Sequence, residues 1–234
     1  MKILVGTPCY NNSLSVDYFQ SFLKSSYAAM QDGHQFGIFQ TKSESLINRA
    51  RNQCASVAIT SQDNYDKLLF IDADIGFEYS DIQSLIASDK AIIGGAYPLK
   101  KYPISFNFNP LESDLDLFNG FERTYGDIGK LVERHATKEV RVKNIGTGFL
   151  MIDCNVLRVL SGKVPSYEFH GNGSTMNNKN WDFFPSGVLG NSYLSEDYYF
   201  EYMALLEGYG TYLHSDVILS HFGGHSFKTG ATNE

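Results

Sequence analysis

Short apolar runs alternate with longer amphipathic segments over the first hundred residues, and this alternation is the strongest constraint on the fold. Apolar runs bounded by turn residues suit strands that are buried on both faces. We predict strands at residues 3–6, 36–39, 68–71 and 91–96. Strands separated by helices pair in parallel through right-handed crossovers. The sequence therefore predicts an α/β fold with a mixed, mainly parallel sheet flanked by helices.

The segments between the predicted strands have helical patterns. The first, residues 16–30, has four large apolar side chains at helical spacing: Phe19, Phe22, Leu23 and Tyr27. Thr41 precedes Glu44 by three residues, a capping-box pattern that predicts a helix from residue 43 to about residue 60. Ser80 is expected to cap a short helix that ends near Ser88.

The second half of the chain is less regular. We predict a strand over residues 141–153 with a glycine break at Gly146-Thr147-Gly148, a helix over 195–207, and strands at 211–214 and 217–220. The sequence has no convincing linker and no internal repeat. We therefore predict a single domain over residues 1–234 whose functional halves are residues 1–100 and 101–234.

Charge and cysteine usage exclude several classes of protein. The net charge of −7 on 234 residues argues against a nucleic-acid binder, which would carry a basic surface. Three scattered cysteines favour reduced core thiols in a cytoplasmic compartment over a disulfide or zinc framework. The sequence also has no apolar run of membrane-spanning length and no recognisable signal peptide, so we expect a soluble protein.

Two carboxylates follow the third predicted strand. Asp72 and Asp74 stand one residue apart directly after the apolar run that ends at Ile71. In open parallel sheets, ligands bind beyond the carboxyl ends of the strands, and Thr7-Pro8 follows another such end. Oxygen ligands of this kind suit Mg²⁺ or Mn²⁺. The alternative interpretation is an acidic turn that merely ends a strand.

Two further candidates lie late in the chain. Glu196-Asp197 begins the last predicted helix, where a carboxylate could act as a base. Alternatively, Ser195 is the N-cap, and the two acids are there only because the helix dipole stabilises negative charge in the first turn. His221 and His225 flank a Phe-Gly-Gly segment and could bind a metal. A single histidine is more often a hydrogen-bonded structural residue.

In order along the chain, these motifs resemble the nucleotide-sugar-dependent glycosyltransferases of the GT-A (Rossmann-like) fold, in particular family-2-like and viral or bacterial relatives. The motifs are Thr7-Pro8, Arg51-Asn52, Asp72-Ala73-Asp74, Gly146-Thr147-Gly148, Glu196-Asp197 and His221. The resemblance covers most of the chain and is weakest at residues 97–143 and 163–194. It implies that residues 1–100 bind the nucleotide-sugar and that residues 101–234 form the acceptor and catalytic half.

The resemblance also implies roles for single residues. Asp74 would bind the metal, Mn²⁺ or Mg²⁺, and Asp72 would contact the ribose or the metal. Asp197 would be the catalytic base, with Glu196 as the alternate. His221 would be an additional metal ligand.

Several more residues are expected around the donor. Thr7, Pro8 and Tyr10 should border the nucleotide base, with Tyr10 as a stacking candidate, unless they only form a strand-to-loop turn. Arg51 is expected to stabilise the diphosphate or to hold Asp74, or else to form an interhelix ion pair. The glycines at 146 and 148 indicate close backbone approach near the acceptor sugar.

We therefore expect a metal-dependent enzyme that moves a sugar from a UDP- or GDP-sugar donor to a glycan or other hydroxyl acceptor, with inversion. Transfer with retention is the competing mechanism. Two different functions compete with glycosyl transfer itself: a catalytically silent carbohydrate- or nucleotide-binding module of the same fold, and a sugar nucleotidyltransferase. A nucleotidyltransferase would carry a glycine-rich signature with a nearby Lys or Arg after the first strand, and residues 6–10 lack it.

Overall fold

The computed structural model describes residues 1–118, 120–168, 179–223 and 226–228. The helices in this part of the chain are α1 (Val16–Gln31), α2 (Ile47–Thr60), α3 (Tyr79–Ala87), α4 (Tyr125–His135), α5 (Cys154–Ser161) and α6 (Glu196–Leu206), with a 3₁₀ helix at Glu112–Leu117. The strands are β1 (Lys2–Cys9), β2 (Gln35–Lys42), β3 (Lys67–Ile71), β4 (Ile75–Gly76), β5 (Ile92–Gly94), β6 (Phe108–Asn109), β7 (Glu139–Val142), β8 (Asn144–Ile145), β9 (Phe149–Asp153), β10 (Ser166–Glu168), β11 (Lys179–Trp181), β12 (Gly187–Leu189), β13 (Ser192–Leu194), β14 (Thr211–His214), β15 (Ser220–Phe222) and β16 (Ser226–Lys228).

A seven-stranded sheet forms the centre of the fold, in the order β2-β1-β3-β9-β5-β14-β7. Strands β1, β2, β3, β5 and β14 run in one direction, and β9 and β7 run in the other. The predicted fold class, a GT-A (Rossmann-like) α/β fold with a mixed, mainly parallel sheet flanked by helices, is confirmed. The sheet takes strands from both sequence halves.

Strand β9 separates β3 from β5 and is antiparallel to both. The alternating pattern of the first hundred residues predicted parallel pairing of strands that are separated by helices, and this does not hold between β3 and β5. The reason is the composition of β9, whose residues Phe149, Leu150, Met151 and Ile152 are all at most 1% exposed. A strand that is apolar on both faces is stable at the centre of a sheet.

Helices cover both faces of this sheet and define two apolar clusters. On one face, Leu4, Leu68 and Leu150 pack with residues from α2, α5 and α6. On the other, Ile3 and Leu69 pack with residues from α1 and α3. Successive strand residues point to opposite faces, so one set of strands supplies both clusters.

The start of α2 differs from the prediction. The helix begins at Ile47 rather than at residue 43, and its N-cap residue, Leu46, makes no side-chain capping hydrogen bond. Thr41 belongs to β2. The Glu44 carboxylate instead accepts hydrogen bonds from the Leu46 N–H at 3.0 Å and from Arg49 Nη2 at 2.7 Å. A local ion pair thus replaces the expected capping box.

Two other predicted boundaries were wrong. Helix α3 starts at Tyr79, and its capping box joins Glu78 and Asp81, so Ser80 lies inside the helix rather than at its cap. The strand expected at 217–220 is β15, which begins only at Ser220 and pairs with β4 and β16. In the described part of the chain, none of the helices combines the length and apolar character needed to cross a bilayer.

Candidate functional site

Asp72 and Asp74 lie in a tight turn between β3 and β4 at the carboxyl edge of the sheet. The Ile75 N–H donates to the Asp72 carbonyl at 3.1 Å, which closes the turn. The Asp72 N–H donates to the Gly148 carbonyl at 2.9 Å, which ties the turn to the residue preceding β9. Both acids are therefore positioned by the central strands.

A cleft of about 420 Å³ opens beside this turn. Its wall includes Pro8 and Tyr10 from the end of β1, Asp72 and Asp74 from the turn, and Phe222 from β15. Tyr10 is 71% exposed, so its ring is available to a ligand. The ends of β1 and β3 thus meet at one rim, as parallel pairing predicts.

Thr7 does not contribute its side chain to this wall. The residue is fully buried, and its hydroxyl lies 2.6 Å from the Tyr18 hydroxyl of α1. The expectation that Thr7 borders a nucleotide is therefore wrong for its side chain. The physical reason is that successive side chains of β1 point to opposite faces of the sheet. Thr7 points towards α1, whereas Pro8 lines the cleft.

Arg51 of α2 joins two of the predicted motifs. Its Nη2 donates to Asp72 Oδ1 and Oδ2 at 3.0 and 3.2 Å, and its Nε donates to Glu196 Oε1 at 3.4 Å. The residue is 3% exposed, and its guanidinium carbon lies 5.1 Å from the centre of the Phe70 ring. Burial alone would lower the pKa of Arg51, but Asp72 and Glu196 raise it overall, so the side chain stays charged. Its acidic partners are Asp72 and Glu196 rather than Asp74, and the contact with Glu196 joins α2 to α6, which is the interhelix ion pair given as the alternative.

Asp74 has a different set of partners. Its Oδ2 accepts a short hydrogen bond from the Lys100 ammonium, and its Oδ1 lies 3.4 Å from His221 Nε2. Partial burial raises the pKa of Asp74, but His221 and Lys100 outweigh this effect and lower it overall. About a third of both the Asp74 and Lys100 side chains is exposed, so a ligand can reach this pair.

His221 is oriented by a backbone carbonyl and an aromatic ring. Its Nδ1 lies 2.8 Å from the Pro98 carbonyl, which only accepts, so Nδ1 carries a proton. The ring packs edge-on against Tyr97, with centroids 5.2 Å apart. Its Nε2 consequently faces Asp74, the arrangement of a histidine whose remaining nitrogen serves an ion or a carboxylate. His225, the other predicted candidate, lies outside the described residues.

Glu196 and Asp197 form the first turn of α6, as predicted. Ser195 is the N-cap residue, but its hydroxyl donates to Asp197 Oδ1 instead of capping the helix. The same Oδ1 accepts from the Tyr198 N–H at 2.8 Å. Burial and the neighbouring Asp197 raise the pKa of Glu196, although Arg51 opposes the shift.

Sequence reasoning missed Tyr97 and Lys100. The Gly148 N–H donates to the Tyr97 hydroxyl at 3.3 Å, and burial, followed by Asp72, raises the pKa of this phenol. A Cβ atom at Gly146 would lie 2.6 Å from that hydroxyl, and one at Gly148 would lie 2.7 Å from the ring. The close approach at this glycine break is therefore to Tyr97. Tyr97 and Lys100 both follow β5 at the same edge of the sheet. Their position after a predicted strand could have marked them as candidate site residues.

The side-chain amides of two asparagines in α2 bind the backbone of the segment that contains Phe183 and Phe184. Asn48 Nδ2 donates to the Phe184 carbonyl at 2.8 Å, and Asn52 Oδ1 accepts from the Phe184 N–H at 2.8 Å. Phe183 and Phe184 are fully buried. These two rings therefore fix the segment to the core and are not available to stack on a sugar.

Asp74 and His221 are the donors that could hold a divalent cation. Among the described residues, no group of three or more His, Cys, Asp or Glu side chains could hold a metal. Magnesium and manganese in phosphate sites are commonly held by one or two carboxylates together with substrate oxygens and water. The residues present therefore fit an ion that binds together with a diphosphate.

Comparisons with known proteins agree with the fold. The crystal structure of A197 from STIV superimposes with a TM-score of 0.56 at 15% identity, covering 100% of this chain and 97% of that chain. At this identity the match shows a shared fold and nothing finer.

A second solved structure is a glycosyltransferase involved in the glycosylation of the major capsid of PBCV-1. It has a TM-score of 0.37 at 11% identity and covers 68% of this chain and 63% of that chain, which is too weak to support an argument. No protein-family model and no curated protein sequence matches this chain.

Proposed function

We propose that this protein is a metal-dependent, inverting glycosyltransferase that moves a sugar from a nucleotide-diphosphate donor to a glycan or another hydroxyl acceptor. The observation that carries the proposal is the Arg51 bridge. One buried guanidinium contacts Asp72, beside the cleft, and Glu196, beside the candidate base Asp197. Two acidic motifs that are far apart in sequence thereby share one site, as donor binding and proton removal in one reaction require.

The cleft has features that suit a nucleoside diphosphate. Tyr10 offers an exposed ring for stacking, and Pro8 lies beside it. Lys100 is a cation at the Asp74 edge that can reach phosphate oxygens. Asp72, held by Arg51, presents carboxylate oxygens that can accept hydrogen bonds from ribose hydroxyls.

Asp74 and His221 would hold the cation. A bound Mn²⁺ or Mg²⁺ would offset the negative charge that gathers on the departing diphosphate. The hydrogen bond from His221 Nδ1 to the Pro98 carbonyl keeps the ring oriented for this role.

Asp197 suits the role of base better than Glu196 because Glu196 is engaged by Arg51. In the proposed step, Asp197 takes the proton of the acceptor hydroxyl while that oxygen bonds to the anomeric carbon. The bond from the anomeric carbon to the diphosphate oxygen breaks, and the diphosphate leaves with the electron pair. A single displacement of this kind inverts the anomeric configuration.

The test is a panel of UDP- and GDP-sugars with and without manganese, in which hydrolysis or transfer is measured and the product anomer is determined. We expect manganese-dependent turnover of one donor, with Asp197→Asn lowering it by about 10²- to 10⁴-fold. Unchanged activity of Asp197→Asn would reject the base assignment. Tight nucleotide binding without turnover of any donor would favour the silent binding module instead.

A further inference from the structure

Helix α1 carries five large apolar side chains on its outer face. Over its 16 residues, the exposed members of this set are Val16, Phe19, Leu23, Tyr27 and Met30, each between 56% and 70% exposed. At 100° per residue they fall within about 80° of arc, which is a narrow stripe along the helix. We call these five residues the α1 stripe.

The opposite face of α1 explains why the stripe points outward. Ser25, Ala29 and Tyr18 are the buried residues of this helix, and the first two are small. Small residues let the helix lie close to the sheet, and Tyr18 fills the remaining space by packing on Phe77 and bonding to Thr7. The helix therefore docks through Tyr18, Phe22 and small residues, and the five residues of the α1 stripe are left in solvent.

The spacing of the α1 stripe is symmetric. Its members are separated by three, four, four and three residues, so the pattern reads identically from both ends around Leu23. A two-fold contact requires a surface that is complementary to itself. In an antiparallel pair of α1 helices, Leu23 would meet its own copy, Phe19 would meet Tyr27 and Val16 would meet Met30.

We propose that the α1 stripe is a homodimer interface, in which α1 packs antiparallel against α1 of a second copy across a two-fold axis. A narrow apolar stripe with spacings of three and four residues is the seam of paired helices. The occupant that this surface fits best is therefore another helix with the same stripe.

The size of the stripe agrees with such a contact. If each side chain presents roughly 150–250 Å² when fully open, the range for aromatic residues, the exposed fractions leave about 450–800 Å² uncovered on each copy. A two-fold pair that covered the whole stripe on both copies would bury about 900–1,600 Å², which reaches the lower part of the range for specific interfaces. We therefore expect a dimer whose population depends on concentration.

A lipid surface fits the stripe less well. Helices that lie on membranes carry Lys and Arg along their polar face, whereas α1 has Lys24 as its one basic residue and Asp17 in its first turn. The protein is also acidic overall, with a net charge of −7, which disfavours anionic membranes.

The test is sedimentation equilibrium of the whole chain over a range of concentrations. For the 26.2 kDa chain we expect the apparent mass to rise towards twice that value. Leu23→Lys should hold it at the monomer value, because two charges would meet on the axis. The matched control is Leu206→Lys, which changes a 66% exposed leucine at the end of α6 and should dimerise like the wild type. Circular dichroism should be unchanged in both variants.

Leu23→Cys provides an independent readout. Oxidation should trap a disulfide-linked dimer, whereas Leu206→Cys should not; the native cysteines are all buried. A wild type that is monomeric at every concentration, or a Leu23→Lys variant that still dimerises, would overturn the proposal. Monomeric protein that binds neutral lipid vesicles through Leu23 would overturn it in favour of a membrane contact.

Discussion

The two acids that follow β3 lie in contrasting surroundings. Asp72 belongs to an inner group with Arg51 and Glu196, in which the guanidinium is almost fully buried. Asp74 belongs to an outer group with Lys100 and His221, in which about a third of the carboxylate is exposed. The acids are separated by Ala73 alone and both line the cleft, yet Asp72 is held by a buried guanidinium and Asp74 by a partly exposed ammonium.

This contrast lies in the cations, because Arg51 is buried whereas Lys100 is partly exposed. Buried ion pairs with several hydrogen bonds are costly to disrupt, because the remaining partner is left charged and unpaired. Partly exposed pairs contribute little and exchange readily. The inner group should therefore hold the two motifs together, while the outer group should exchange its internal cation for a ligand.

The largest effect on stability is expected at the centre of the inner group. Arg51→Met would leave Asp72 and Glu196 without their buried cation, and we expect the free energy of unfolding to fall by about 3–5 kcal/mol. The measurement is urea denaturation followed by circular dichroism. Lys138→Met is the control; its pair with Asp216 is 65% and 45% exposed, so its loss should cost about 1 kcal/mol or less.

Asp74→Asn should affect function more than stability. If the outer group holds the cation and the diphosphate, we expect transferase activity to fall by about 10²- to 10³-fold. Its free energy of unfolding should change far less than that of Asp72→Asn, which disrupts the Arg51 pair. Parallel denaturation and kinetic measurements on the two variants check this; an equal loss of stability in both would contradict the division into two groups.

Glu201 lies in α6, five residues after Glu196. It is buried, and both carboxylate oxygens lie 3.2 Å from the Ile145 N–H. Burial raises the pKa of Glu201 well above its ordinary value of 4.5. The folded state therefore keeps the proton after the unfolded chain has lost it, so this residue makes stability fall as pH rises above about 4.5.

Glu201→Gln should remove this contribution to the pH dependence. Between about pH 4.5 and 8, we expect the variant to lose less stability than the wild type, because the amide introduced there has no proton that the unfolded chain releases first. Thermal unfolding across this range is the measurement. Parallel pH profiles of the two proteins would show that Glu201 titrates normally.

The smallest effect is expected when Lys100, the cation that pairs with Asp74 in the outer group, is replaced. Lys100→Met removes the ammonium from Asp74, and we expect the free protein to bind Mn²⁺ roughly 1.5- to 5-fold more tightly, as suits a partly exposed pair. Isothermal titration gives the affinity. Lys101→Met is the matched control because Lys101 pairs with Glu122 instead, at 3.7 Å. Equal affinities for all three proteins would mean that Lys100 does not compete with the ion.

The sequence allowed the fold class to be predicted because local patterns carry that information. The apolar runs at β1, β2, β3 and β5 are short and continuous, and parallel pairing follows from the helices between them. The position of β9 could not be predicted in this way. Its pairing with β3 joins segments that are distant in the chain, and a run such as Phe149–Asp153 suits several positions in a sheet.

The site was predicted only in part, for a related reason. Asp72, Asp74 and Asp197 follow strand or helix boundaries, which a sequence indicates. The partners of Arg51 and the orientation of Thr7 depend on side-chain direction in three dimensions. Of the alternatives for Arg51, the interhelix ion pair was found, but its second contact with Asp72 was not predicted, and the Thr7 side chain points away from the cleft. Lys100 was overlooked because two adjacent lysines after a strand resemble an ordinary charged loop.

The reversed strand at the centre of the sheet has a consequence for synthesis of the chain. When residues 1–100 have emerged from the ribosome, β3 and β5 are available, but β9, which lies between them in the sheet, has not yet been translated. The early segment cannot complete the sheet on its own, and the turn that holds Asp72 lacks the Gly148 carbonyl until the later strand arrives. Asp72 and Asp74 thus acquire their final positions only after the chain has been translated beyond Gly148.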